Sequence, residues 1–178
     1  MITFTELSNS RHQHFARELF ESAFPEEERP PFEVVLNRNQ SHFHFFVATQ
    51  SDDRDPIGIL SYWDFGELAY VEHFAIDEDL RGEGLGKAVF LNFLSQCEGQ
   101  VVCEVELVHD EMSERRVEFY KSMGMISNSQ QYFQPSYTGA TNPVEMQIMS
   151  KYPLDDDDFS ALKQLLYEKI YHCDGEVK

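Results

Sequence analysis

The chain has 178 residues, 42% of them apolar, which is enough for one full hydrophobic core and short for two independent ones. Thirty-two acidic residues against fourteen basic ones leave a formal charge of −18, a field that repels nucleic acid and anionic membranes and draws in cations. The opening MITFTELSNS has no basic or apolar signal region, and no run reaches the roughly 18 apolar residues of a membrane span, so a soluble cytoplasmic protein is expected.

Residues 2–7 alternate as a strand. Ser8 or Asn9 then caps a helix to about residue 24, with Phe15, Leu19 and Phe20 on one stripe, and Pro25 stops it. Pro30 and Pro31 stand at the start of a short second helix over 32–37. Strands follow over 42–49 and 57–65, separated by the turn signal SDDRDP. A reversal at Gly66 leads to a third strand ending at Ile76, so these three form a meander. After the loop DEDLRGEG comes a helix from about Gly84, with Leu85, Val89, Phe93 and Leu94 on a face. It connects to a strand over 101–108, and a helix between two strands favours parallel pairing.

Residues 112–123 read as a helix closed by Gly124. Two last strands, near 131–134 and 144–149, flank a loop holding Pro135, Tyr137 and Gly139. A tail from Pro153 begins with aspartates suited to a helix N-terminus, and Phe159, Leu162 and Leu166 give it a narrow apolar stripe. The expected division is a domain over 1–152 and an acidic helical tail over 153–178. That tail docks on the domain or on a second subunit, which leaves a homodimer open. The class is α/β, with a mixed, mostly antiparallel sheet of six or seven strands flanked by helices.

The chemistry concentrates in Arg81-Gly82-Glu83-Gly84-Leu85-Gly86-Lys87. Glycines allow a tight turn whose amides point inward, and the helix that follows adds its own unpaired amides and positive dipole end. Together with Arg81 and Lys87 this makes a local anion site in an acidic protein. A dinucleotide fingerprint would need glycine where Lys87 stands, and a Walker loop would need Ser or Thr where Ala88 stands, so neither pattern is met. The three cysteines, Cys97, Cys103 and Cys173, form no CxxC pair, so they read as free thiols and no metal is expected.

At these residues the chain resembles the GCN5-related N-acetyltransferases (GNAT). Their CoA motif, Arg/Gln-x-x-Gly-x-Gly/Ala after an apolar strand end, is matched by Arg81, Gly84 and Gly86 behind Phe74-Ala75-Ile76. Downstream, Phe119-Tyr120-Lys121-Ser122-Met123-Gly124-Met125 resembles the family's Phe-Tyr-x-x-x-Gly-Phe. The resemblance implies the acyl-CoA N-acyltransferase fold and acetyl-CoA as cosubstrate. It implies that the backbone at Phe74, Ala75 and Ile76 meets the pantetheine arm, and that the amides from Arg81 through Gly82, Glu83, Gly84, Leu85 and Gly86 to Lys87 hold the pyrophosphate. Tyr120 would sit by the thioester sulfur as general acid, the alternative being a packed aromatic. Ser113 and Arg116 stand where the family often has Asn and Ala; Ser113 keeps a hydroxyl for the cofactor, and Arg116 is large for that place.

Direct attack on a thioester needs a neutral amine, so a proton must be removed. Alternation puts Tyr70, Glu72, Phe74 and Ile76 on one face and His73 on the other, which makes Glu72 the first choice of base, against an ion-paired role. Glu104 and Glu106 share a face of the next strand; they either bind a substrate ammonium or pair with Arg115 or Arg116. Tyr137 is placed to close over the acceptor. The expected activity is acetyl transfer to a primary amine of a small cationic molecule. Peptide or protein acetylation and a non-catalytic CoA-binding module are the alternatives.

Overall fold

The computed structural model describes residues 1–26, 29–38, 41–50, 55–137 and 142–173. Glu27 and Glu28, most of the SDDRDP segment, and Gly139 lie outside them. The chain forms two compact units, residues 1–101 and 102–178.

In the first unit, β1 (Ile2–Glu6), β2 (Phe43–Gln50), β3 (Asp55–Asp64) and β4 (Leu68–Ile76) pair in that order, each antiparallel to the next. Helices α1 (Gln13–Ala23) and α2 (Phe32–Leu36) precede β2, and α3 (Leu85–Gln96) follows β4. The start of α1 is later than expected. Residues Leu7–Asn9 form a single 3-10 turn that buries Leu7, and the Ser10 hydroxyl accepts from the His12 amide at 3.0 Å, so the chain turns once before the helix begins.

Both faces of this sheet are covered. On one side Phe20 of α1 meets Phe32 and Phe45 at 5.7 and 6.0 Å between ring centroids. On the other, Phe90 and Phe93 of α3 meet Phe74 and Tyr62 at 5.2 and 5.0 Å. A sheet buried on both faces has no polar side to show, and residues 57–61 of β3 are accordingly all buried.

A bulge interrupts β4: Ser61 pairs with His73 but Tyr62 pairs with Val71, so Glu72 is the extra residue. Its effect is visible in the contacts. The carboxylate of Glu72 meets the Trp63 indole and His73 meets Ser61, and Ser61 and Trp63, two apart on β3, point to the same side. Consecutive residues Glu72 and His73 therefore face one way, toward α1 and α2, while Phe74 faces α3. The expected face shared by Glu72 and Phe74 does not exist, because alternation fails across an inserted residue.

The second unit contains most of β5 (Gln100–Glu106), then α4 (Glu111–Lys121), β6 (Ile126–Ser127), β7 (Tyr132–Gln134), β8 (Val144–Ser150) and α5 (Asp156–Lys169). Strand β8 is central, antiparallel to β5 on one edge and to the short β6 and β7 on the other. Eight strands are thus described where six or seven were expected; the two residues of β6 are too few to alternate. Helix α5 buries Phe159, Leu162, Leu166 and Tyr167. It is capped by Asp155, whose carboxylate accepts from the Asp158 amide at 2.8 Å, and three more aspartates lie in its first turn, where the helix dipole favours them. The fold is of the α/β class, with mostly antiparallel strands flanked by helices.

Candidate active site

The glycine loop follows β4 directly. Asp77 opens it by accepting the Asp79 amide on its side chain, at 3.1 Å, and the Arg81 guanidinium returns to the Ile76 carbonyl at 3.2 Å, which ties the loop to the strand end. Gly82 and Gly84 then adopt φ of +86° and +79°, the left-handed region that other residues enter at a cost. The space where a side chain would stand at either glycine is open to 4 Å. Gly84 is the N-cap of α3, and the first helical bond runs from the Ala88 amide to its carbonyl at 3.1 Å. The amides of Leu85 and Gly86 therefore precede the bonded ladder, and the first turn carries no acidic residue. Open space beside amide donors and a helix dipole end fits an anionic diphosphate.

Glu72 is a different kind of group from the base expected of it. Its side chain is 0% exposed, and Oε2 accepts from Arg38 at 2.7 Å and from the Trp63 indole at 2.8 Å. Burial alone would raise its pKa, but His73, Arg38 and the bonds from Trp63 and Arg38 outweigh it and hold the carboxyl below its ordinary value. A proton acceptor must reach the amine and must gain by taking the proton; this carboxylate is sealed and already stabilised as an anion. In this arrangement Glu72 is one half of a buried ion pair with Arg38. His73 is no substitute, since its ring is packed between Phe20 and Phe24 at 4.8 and 4.9 Å and burial pushes its pKa down to about 4.

The ion pair leads to a stability prediction. Removing one partner of a buried pair costs about 3 kcal/mol or more, so Glu72→Gln should lower the unfolding free energy by about 3 kcal/mol in denaturant titration. The pH dependence has a defined sign. His73 and Glu72 both titrate lower in the folded state, so their stabilisation is complete at neutral pH. For His73 it is lost from 6.5 down toward about 4, and for Glu72 below its unfolded carboxylate pKa. Wild-type stability should fall with acidification across this range, and Glu72→Gln should remove the Glu72 part.

In the second unit, Tyr120 lies on α4 with its side chain against Cys103 of β5, and the residue is 8% exposed. Burial first, then Cys103, pushes its phenol well above the usual tyrosine range, so the hydroxyl keeps its proton at neutral pH. That is the state a proton donor requires.

Ser113 belongs to the cap of α4. Its hydroxyl accepts from the amides of His109 and Asp110, both at 3.0 Å, and donates to Asp110, whose carboxylate in turn accepts the Ser113 amide at 2.7 Å. A hydroxyl has one donor and two acceptor sites, and this capping box at the start of α4 uses all of them. Arg116 raises no packing problem, because it extends from α4 to Glu106 at 2.6 Å. Glu106 therefore takes the ion-pair alternative.

Glu104 accepts from the hydroxyls of Tyr132 and Tyr171, the latter at 2.7 Å, and from the Gln134 amide. Tyr137, the expected acceptor-site residue, meets Tyr171 with ring centroids 5.1 Å apart and the planes tilted by 52°. The structure thus brings Glu104 and Tyr137 together through Tyr171, and leaves Glu106 outside that cluster. Tyr132, Gln134 and Tyr171 were not foreseen, and no local sequence signal marks them.

The model of the acetyltransferase (GNAT) family matches residues 12–125. No curated protein matches the chain. Among solved structures, a protein from Bacteroides thetaiotaomicron assigned to the GNAT acetyltransferases is 31% identical, with TM-score 0.87, over 98% of this chain and 99% of its own. The ribosomal-protein-S18-alanine N-acetyltransferase of Escherichia coli is 17% identical with TM-score 0.58, over 88% of this chain and 98% of its own. A chimeric spermidine N-acetyltransferase from Vibrio cholerae and hSSAT is 14% identical with TM-score 0.63, over 84% and 93% respectively. The last two share the fold.

Proposed function

Because the chain belongs to the GNAT acetyltransferase family, whose members use acetyl-CoA, we propose that it acetylates a primary amine of a small cationic molecule. The observation that carries this reading is the open glycine cradle at the head of α3. The Arg81 amide donates to the Glu78 carbonyl at 3.3 Å, so amides from Gly82 to Lys87 bind the pyrophosphate, with the Arg81 side chain at the loop's edge, and the β4 end at Phe74, Ala75 and Ile76 orients the pantetheine arm. Acetyl-CoA, when bound, supplies a thioester whose departing group is a thiolate. Tyr120 holds a proton on Oη for that group. With Glu72 locked to Arg38, the acceptor is deprotonated by water, so kcat/KM should rise with pH as the free amine increases.

Two supports favour a small cationic acceptor over a peptide: the net charge of −18, which concentrates cations, and the carboxylate of Glu104 among tyrosines. A thiol-release assay across diamines, aminoglycosides, amino acids and peptides tests the choice. Diamines should show the highest kcat/KM; a peptide turned over faster than every small amine would overturn it.

A further inference from the structure

Gly58 is the one glycine inside β3, and it lies between Ala48 of β2 and Ile76 of β4. The register slips beside it. Ala48 pairs with Gly58 but Thr49 pairs with Pro56, so Ile57 is an extra residue, and a bulge of this kind bends its strand and sharpens the twist. At this point β3 runs close against the end of β4: a methyl group at Gly58 would stand 2.5 Å from the Ala75 carbonyl oxygen and 2.7 Å from Ile76 Cδ1. Glycine within a strand is the residue that permits such an approach.

The oxygen in that contact is backbone, so it cannot swing aside as the tip of a side chain can. Two observations fix which way this part of β4 faces. The Ala75 carbonyl oxygen lies at Gly58, and the Asp77 amide donates to the Ile57 carbonyl at 3.1 Å, so Ala75 and Asp77 turn these backbone groups toward β3. A peptide unit is planar and trans, with its C=O and N–H pointing in opposite directions. The Ala75 carbonyl and the Ile76 amide are the two ends of one such unit, and the Ile76 amide therefore points to the edge away from β3. Pushing the carbonyl turns the amide with it. The Ile76 side chain is held as well, in a buried cluster with Ala48, Ile57 and Val89 of α3.

We infer that Gly58 is a positioning residue for acetyl-CoA: its missing side chain leaves the peptide between Ala75 and Ile76 where its amide meets the pantetheine arm. This rests on the proposal that the β4 end orients that arm. Gly58 acts through this one peptide, and the glycine cradle holds a different part of the same ligand. A change at Gly58 is therefore felt by the pantetheine before it is felt by the diphosphate.

The test uses the full chain and two ligands in calorimetry: CoA, and 3′-phospho-ADP, which is CoA without its pantetheine arm. Gly58→Ala adds the methyl group. The same change in an Ile76→Val background takes Cδ1 out of its path and leaves the carbonyl contact. In both backgrounds Gly58→Ala should weaken CoA binding on the order of tenfold, the loss of about one hydrogen bond, and weaken 3′-phospho-ADP far less. The acetyl-CoA KM should rise in step, with a smaller change in the amine KM. In wild type the NMR signal of the Ile76 amide should shift on adding CoA and hold still with 3′-phospho-ADP, a readout for which no variant has to fold. Selective loss of CoA in Gly58→Ala, with no amine acetylated by wild type, would uphold the positioning role and overturn the transferase reading. Amine turnover whose acetyl-CoA KM and CoA affinity ignore a folded Gly58→Ala would do the reverse. Equal losses for CoA and 3′-phospho-ADP, or an Ile76 amide that CoA leaves unmoved, would overturn the role of Gly58.

Discussion

Tyr120→Phe should lower kcat on the order of 10²-fold while leaving acetyl-CoA affinity nearly intact. The substitution keeps the ring that packs against Phe119 at 5.2 Å and that faces Cys103, and removes only the hydroxyl. Because burial holds the phenol protonated, the wild-type rate should show no loss of activity from Tyr120 ionisation across the neutral range. In the variant the leaving thiolate must take its proton from water, and the deficit should be greatest for poorly nucleophilic acceptors. A wild-type kcat in Tyr120→Phe would return Tyr120 to the role of a packed aromatic.

The second large effect is expected at Gly84. Gly84→Glu places a carboxylate in the open space at the N-cap of α3, where the diphosphate charge would lie. The backbone contributes separately, since φ of +79° costs a non-glycine residue roughly 1–2 kcal/mol. Gly84→Ala carries the backbone cost without the charge, so the pair separates the two. Acetyl-CoA affinity measured by calorimetry should fall by about 100-fold or more in Gly84→Glu and far less in Gly84→Ala. Equal, small losses in both would mean that the loop does not hold the pyrophosphate.

The meander, the loop and the helix that follows were legible because glycine, proline and apolar periodicity mark them locally. The anion site stood out because Arg81 and Lys87 bracket three glycines in a chain of strongly acidic balance. What escaped was non-local. The bulge at Glu72 has no glycine to announce it, and once a single residue is inserted, an alternation argument carried from Phe74 back to Glu72 inverts. The ion pair was equally hidden, since Arg38, 34 residues away, is brought to Glu72 only by the packing of α2. Ser113 is the opposite case: Asp110 three residues before Ser113 is a local capping signal, and the structure forms that cap. Tyr171 lies beyond the family match, and only folding shows that it meets Glu104.

The transfer itself is the central claim, and coupled stoichiometry tests it most directly. Purified chain with acetyl-CoA and 1,4-diaminobutane should release one free thiol for each molecule of N-acetylated diamine found by mass spectrometry, with negligible thiol release when the amine is left out. Thiol release that proceeds equally without amine, or an acetyl-CoA pool left intact in the presence of every amine and peptide tested, would contradict it.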